Sequence, residues 1–288
     1  MSKIAIMMLI HQDNEQVKKL IKHLSKDFDI YVHIDKRALV QVGSIQGQNV
    51  FVYKEYKTYW GSFNQIMATL YLLEKAYKKG YNRYMLISGQ DLPIKTNKEI
   101  KVFFENNDME YISIEKIPRQ DGWPDMSKFT RYHFDQMNKR IEGKIFIKVT
   151  AEIFSKLMSI IKPRKLDYDF YGGSNWTNYT HNCVRKILEY LENNPTYINR
   201  FKWTKCADEI FYQTIVNQLD GLKITNDCLR YINWTDGPEY PRTLRINDYD
   251  KIMSSNKLFA RKFDIDKDRE VIEKIYRCLE VDNQKLNI

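Results

Sequence analysis

The sequence predicts an α/β protein with a mostly parallel central sheet and helices on both faces. Three observations carry that expectation. Short apolar runs alternate with stretches of helical periodicity over the first 117 residues. The first run, Ile4 to Ile10, is almost continuously apolar, as in a strand at the centre of such a sheet. A chain of 288 residues that is 43% apolar and 14% aromatic can bury a large core and is too hydrophobic for disorder.

Residues 3–11 read as the central strand. Their apolar run is too short to cross a membrane, and no small-residue cleavage site follows it. Residues 14–25 carry Val17, Leu20, Ile21 and Leu24 at helical spacing. Residues 29–35 (DIYVHID) alternate like a strand, and residues 50–54 form another. Residues 64–79 carry Ile66, Leu70, Leu73 and Tyr77 on one helical face, with Gly80 as the stop. Residues 83–88 read as a strand, 89–93 as a loop, 97–106 as a short helix and 110–117 as a strand. The second half is less regular. Residues 120–140 read as a long loop and 171–176 as a turn; 180–193 and 208–219 read as helices, 229–234 as a strand, 238–250 as a loop and 268–279 as a closing helix. No repeat or linker interrupts the chain, so residues 1–288 are expected to form one domain. Its first half, 1–117, would bind a nucleotide, and its second, 118–288, an acceptor and the catalytic group.

In a parallel sheet, ligands bind beyond the carboxyl ends of the strands. His11, the His33–Asp35 stretch and the Ser88–Asp91 stretch all fall there. The net charge of +9 suits nucleic acid, an anionic membrane or a small anionic substrate. The cations are scattered, with no basic arm or stripe, which argues against nucleic acid. No amphipathic basic helix stands out either. The four cysteines show no CxxC spacing and read as reduced thiols.

GxGxxG, P-loop, HExxH and GxSxG motifs are all absent. Three Asp-x-Asp pairs, Asp167-Tyr168-Asp169, Asp248-Tyr249-Asp250 and Asp264-Ile265-Asp266, follow no convincing strand of the first half and read as solvated turns. Asp208-Glu209 opens a predicted helix. The plain structural reading is an N-cap that complements the helix dipole; the chemical reading is Glu209 as a base whose pKa the dipole holds low. Arg261-Lys262 lies between aromatics, which suits either an edge segment with snorkelling side chains or cations aimed at a diphosphate, with Arg242 and Arg245 nearby in sequence. Trp60, Trp176 and Trp234, beside small polar residues, suit either core positions or sugar faces.

Taken together, seven segments resemble the core-2/I-branching β-1,6-N-acetylglucosaminyltransferase family, which also holds peptide O-xylosyltransferases. They are IYVHIDKR at 30–37, YWGSFNQIMATL at 59–70, YMLISGQDLPIKT at 84–96, GGSNW at 172–176, DEIFYQTI at 208–215, RYINW at 230–234 and KLFARKFD at 257–264, in the family's order. The resemblance implies a GT-A type fold and an inverting transfer from a UDP-sugar, with UDP-GlcNAc the expected donor, a glycan or lipid-linked glycan acceptor, and no divalent metal or other cofactor. It implies that Glu209 is the catalytic base, that Lys262 and either Arg242 or Arg245 contact the UDP phosphates, and that Asp35 binds the nucleotide. His11, Ser62 and Asp91 belong to the same donor-side segments, and Arg131, Tyr231 and Trp234 to acceptor-side ones. The chain resembles a soluble bacterial member lacking an anchor and stem, so the expected setting is cytoplasmic surface-polysaccharide synthesis, with peripheral contact at the inner face of the membrane. UDP-xylose-dependent or Mn-dependent transfer on the same fold, and a non-catalytic glycan- or nucleotide-binding module, are the alternatives.

Overall fold

The computed structural model describes residues 3–120, 122–134, 145–164, 169–236 and 240–285. Most of Asp167-Tyr168-Asp169 and parts of the expected loops at 120–140 and 238–250 lie outside the described residues.

The elements run β1 (Ile4–Ile10), α1 (Glu15–Leu24), β2 (Asp29–Ile34), β3 (Val50–Tyr53), α2 (Phe63–Tyr77), β4 (Arg83–Ser88), β5 (Asp91–Pro93), α3 (Asn97–Phe103), β6 (Met109–Ile112), β7 (Glu115–Lys116), α4 (Ser127–Thr130), α5 (Ile145–Ile161), β8 (Tyr171–Gly172), β9 (Thr177–Thr180), α6 (His181–Asn193), α7 (Pro195–Phe201), α8 (Phe211–Gln218), β10 (Lys223–Thr225), β11 (Arg230–Ile232), α9 (Tyr249–Met253), β12 (Phe259–Arg261) and α10 (Arg269–Lys285). A seven-stranded sheet has the order β10-β6-β9-β4-β1-β2-β3. β9 runs against both of its neighbours, and the other pairings are parallel. The mixed α/β architecture with a mostly parallel sheet is the one the alternating pattern predicts, and it is consistent with a GT-A-like fold.

The period of two in β1 divides the core. Ile4, Ile6, Met8 and Ile10 face one side, where Val17, Leu20, Ile21 and Leu24 of α1 and Val271, Ile272 and Ile275 of α10 cover them. Ala5 and Met7 face the other, against Ile66, Leu70 and Leu73 of α2, Val184 and Ile187 of α6 and Ile215 of α8. Asn14 caps α1 by accepting from the Val17 N–H, and Thr96 closes a reciprocal capping box with Glu99 on α3.

β9 is a strand the periodicity does not reveal. Its sequence is Thr-Asn-Tyr-Thr, polar because its neighbours supply buried polar partners. The Arg83 guanidinium donates to the carbonyls of Asn178, Met109 and Asn107, and Glu110 accepts from both the N–H and the hydroxyl of Thr180. β5 lies where a loop is expected. With β11 and β12 it forms a small sheet in which β12 is the middle strand, not an edge. That sheet binds the segments DLP, RYI and FAR to one another at the carboxyl end of β4.

Candidate active site

His11, Asp35 and the Ser88–Asp91 turn follow the carboxyl ends of three adjacent parallel strands, β1, β2 and β4. Asp35 is buried, and its carboxylate accepts from the Arg37 side chain at 2.5 Å and from the Thr58 N–H at 3.2 Å. The Arg37 guanidinium lies 3.7 Å above the Tyr59 ring. His33 accepts the Tyr56 N–H at Nε2, and burial pulls its pKa down to about 4, so it remains a neutral acceptor at neutral pH. These contacts fold residues 56–62 over the strand ends. Ser62 is buried there, its hydroxyl accepting from the Tyr59 N–H, while His11 is exposed.

Asp91 is fully buried. One carboxylate oxygen accepts from the Ser88 N–H and hydroxyl, and the other faces Arg230 Nε at 3.8 Å and Arg261 Nε at 3.7 Å. Its position is therefore that of an internal anion fixing β11 and β12. The Gln16 side chain ties the same region from below: its amide donates to the Gly89 and Phe263 carbonyls and accepts from the Ile265 N–H. Lys262 is thus held on both flanks. Its carbonyl accepts from the Leu244 N–H, which brings the 242–245 segment alongside.

The two arginines of that segment differ. Arg245 is exposed, and its backbone N–H donates to Asp248. Arg242 is half-buried, its backbone N–H bonds the Asn233 carbonyl and its guanidinium donates to Asp248. Its buried Nε has no acceptor among the described residues, a donor that suits an anionic ligand. Asp248 is buried and engaged in these contacts, so the expectation of a solvated turn at Asp248-Tyr249-Asp250 is corrected.

Glu209 ends a short 3-10 turn, Ala207–Glu209, entered through Cys206 with φ of 53°, and α8 begins only at Phe211. The expected N-cap at Asp208 is therefore absent. Asp208 is buried and accepts from Asn175 Nδ2 at 3.1 Å, while its other oxygen has no hydrogen-bond partner among the described residues. Glu209 is half-buried. The expectation that the helix dipole holds Glu209 low is reversed: burial pushes both carboxyls up, Asp208 raises Glu209 further, and the Lys128 ammonium opposes the rise. Two glycines shape the turn. Gly61, at φ of 65°, accepts the Cys206 N–H at its carbonyl, and a Cβ there would sit 3.1 Å from the Cys206 sulfur. Gly173 donates its N–H to the Glu209 carbonyl, and a Cβ there would lie 2.0 Å from the Ser113 oxygen. The Cys206 thiol is pushed up to about 12 by burial and stays protonated.

Glu209 and Lys262 are joined by two separate sets of contacts. On one side Lys262 Nζ lies 6.0 Å from the Tyr240 ring, Tyr240 lies 5.4 Å from the Trp60 ring at a tilt of 43°, and the next residue, Gly61, holds Cys206 at the head of the Glu209 turn. On the other, Arg261 lies 3.9 Å above the Trp176 ring, and the preceding Asn175 holds Asp208. The base candidate and the diphosphate candidates are thus linked through these two sets of contacts.

The acceptor-side candidates divide. Arg131 is exposed at the end of α4, one turn beyond Lys128, whose carbonyl accepts the Lys205 N–H beside the Glu209 turn. Tyr231 pairs with Ala260 in the small sheet, and exposed Trp234 adjoins the Asn233 carbonyl that anchors Arg242, so both stand by the cations. Sequence reasoning missed Lys128, Asn175, Arg230 and Tyr240. Their signal lies in tertiary contacts, although Asn175 and Arg230 fall inside the segments that carry the resemblance.

The sequence model of the Core-2/I-Branching enzyme family matches residues 4–255. Among named relatives, a β-glucuronosyltransferase of Arabidopsis thaliana, GlcAT14B, is 22% identical over 96% of this chain and 62% of its own length. A β-1,3-galactosyl-O-glycosyl-glycoprotein β-1,6-N-acetylglucosaminyltransferase of Bos taurus is 24% identical over 94% of this chain and 68% of its own length. The protein of that name in Homo sapiens is 22% identical over the same shares. The chain thus spans about two thirds of the length of the curated relatives it matches. With that match running across both the sheet and the Glu209 region, the chain belongs to the Core-2/I-Branching enzyme family and is a glycosyltransferase.

Proposed function

We propose that the protein transfers GlcNAc from UDP-GlcNAc, with inversion and without a divalent metal, onto a hydroxyl of a glycan or lipid-linked glycan, forming a β-linkage. The observation that carries this reading is the pairing of a buried carboxylate turn with a cation cluster across the Trp60–Tyr240 and Trp176–Arg261 contacts. Glu209 accepts the proton of the acceptor hydroxyl as that oxygen attacks the anomeric carbon from the face opposite UDP. A carboxyl raised by burial is a stronger base than one in water, which suits a proton that leaves late in the reaction. The C–O bond to UDP breaks, and its electrons go to the diphosphate. Lys262 and Arg242 neutralise that charge; a fixed group of this kind is worth ~3 kcal/mol in barrier. Arg242 is favoured over Arg245 by its orphaned buried N–H. Asp35, Ser62 and His11 serve the nucleotide end, with Asp91 acting through Arg230 and Arg261, and Arg131, Tyr231 and Trp234 serve the acceptor together with Lys128. The setting we favour is cytoplasmic synthesis of a bacterial surface polysaccharide.

One of the named relatives is a glucuronosyltransferase, so UDP-glucuronic acid is the second donor reading. A thermal-shift panel of UDP-GlcNAc, UDP-glucuronic acid and UDP-xylose, with and without EDTA, separates them. The correct donor at a hundred times its Kd stabilises the native state by about 2.7 kcal/mol. The proposal expects that response from UDP-GlcNAc, undiminished by chelator. Loss of the response in EDTA removes the metal-free mechanism, and a larger response to another sugar reassigns the donor.

A further inference from the structure

α5 is amphipathic in the reverse sense for a surface helix. Its small polar positions face the protein: the Ser155 hydroxyl accepts from the Phe134 N–H and the Ser159 hydroxyl from the Tyr132 N–H. Its large apolar side chains face away. Ile160 is 78% exposed, Ile161 67% and Ile153 60%, with Phe154, Leu157 and Val149 about half exposed. At 100° per residue, Val149, Ile153, Leu157 and Ile160 form one stripe, with Phe154 and Ile161 widening it. Surface helices of water-soluble proteins turn such a stripe inward, so this one is built for a second phase.

The charge around the stripe says which. Among the described side chains of this stretch, Lys156, Lys162 and Arg164 stand against one acid, Glu152, which lies 3.2 Å from Lys156 and leaves the balance positive. Lys156 lies three residues after Ile153 and four before Ile160, at the margin of the apolar face, and Lys162 is exposed where α5 ends. Beside the stripe a hollow of about 690 Å³ is lined by Tyr132, Phe134, Phe154, Met158 and Trp203. An apolar face with a cationic margin and neighbouring aromatic rings matches the boundary between lipid headgroups and acyl chains. A second copy of the chain would set like charges against each other. No helix among the described residues is long and apolar enough to cross a membrane, so the geometry is that of lying on the surface.

We propose that α5 is a membrane-docking helix that seats its Ile153–Leu157–Ile160 stripe in an anionic lipid surface, with Lys156 and Lys162 on the headgroups. The Arg164 guanidinium, just beyond α5, donates to the Arg131 carbonyl, so docking brings the Arg131 edge of the molecule to the bilayer.

The test is co-sedimentation of the full chain with vesicles of phosphatidylcholine alone or with about 30% phosphatidylglycerol, without donor or acceptor, so that it stands apart from the transfer chemistry. The expected result is binding to the anionic vesicles only. It should fall by roughly tenfold or more in the triple variant Ile153→Ser, Leu157→Ser, Ile160→Ser, and weaken in Lys156→Glu with Lys162→Glu. Each variant should keep the wild-type circular dichroism and UDP affinity, since these side chains are exposed. Failure of the wild type to bind anionic vesicles overturns the proposal, as does equal binding to neutral ones or binding the serine variant retains. A dimer in solution that the serine variant converts to monomer would also overturn it, with a second copy as the occupant of the face.

Discussion

Asp208 and Glu209 are neighbouring carboxyls in a turn that buries one and half-buries the other, so Glu209→Gln should trade activity for stability. The sign follows from linkage. The Glu209 pKa is raised in the native state above its ordinary 4.5. The protein is therefore most stable, as far as this group is concerned, when Glu209 is protonated in both states, below pH 4.5. That stability is lost as pH rises from there through the raised native value. Each unit of displacement corresponds to ~1.4 kcal/mol, and the displacement is shared with Asp208, so relief of the charge is on the order of 1–3 kcal/mol. Glutamine keeps the shape and hydrogen-bonding capacity but carries no charge. In urea titrations, Glu209→Gln should match the wild type near pH 4 and exceed it by about that amount at pH 9, with a Tm higher by ~2–4 °C per kcal/mol. Transfer should fall by roughly 10² or more. The wild-type acidic limb of kcat/KM should lie above the ordinary carboxylate range. A variant no more stable than the wild type at pH 9, or an acidic limb near 4.5, would refute the electrostatic reasoning.

Asp91→Asn leaves Arg230 and Arg261 buried without their counter-ion and should cost about 3–5 kcal/mol in chemical denaturation; an unchanged midpoint would mean that the two ion pairs are idle. Gly173→Ala forces a Cβ into the Ser113 carbonyl and should abolish transfer while shifting the segment that holds Glu209; near-normal activity would show that the turn tolerates displacement. Arg242→Ala should weaken UDP binding measured by calorimetry by roughly tenfold or more, whereas Arg245→Ala should not, and the reverse order would reassign the phosphate contact.

The first half of the fold is legible because its strands and helices keep clean periods: the runs at β1 and β2 and the apolar faces of α1 and α2 lie where periodicity sets them. The second half is less so for two physical reasons. β9 is polar because Arg83 and Glu110 satisfy it from neighbouring strands, and such partners leave no periodic trace. α5 faces the other way from a core-seeking helix, so its apolar residues give no hint of what they pack on. At the site, the residue types of Glu209, Lys262 and Asp35 are readable in short motifs. Their electrostatics are not. The upward shift of Glu209 comes from burial and from Asp208 and is opposed by Lys128, 81 positions away in sequence, and Asp91 looks like a ligand-binding acid until Arg230 and Arg261 close around it. The choice between Arg242 and Arg245 depends on which side chain is exposed, which spacing cannot tell.

The account rests on a division of labour between a carboxylate that takes a proton and cations that hold the departing diphosphate. Calorimetric titration of UDP into Glu209→Gln and Lys262→Ala, paired with transfer assays on the same samples, tests it most directly. The account predicts that Glu209→Gln binds UDP as the wild type does yet transfers almost no sugar, and that Lys262→Ala loses both affinity and turnover. UDP affinity that survives in Lys262→Ala, or transfer that survives in Glu209→Gln, would contradict it.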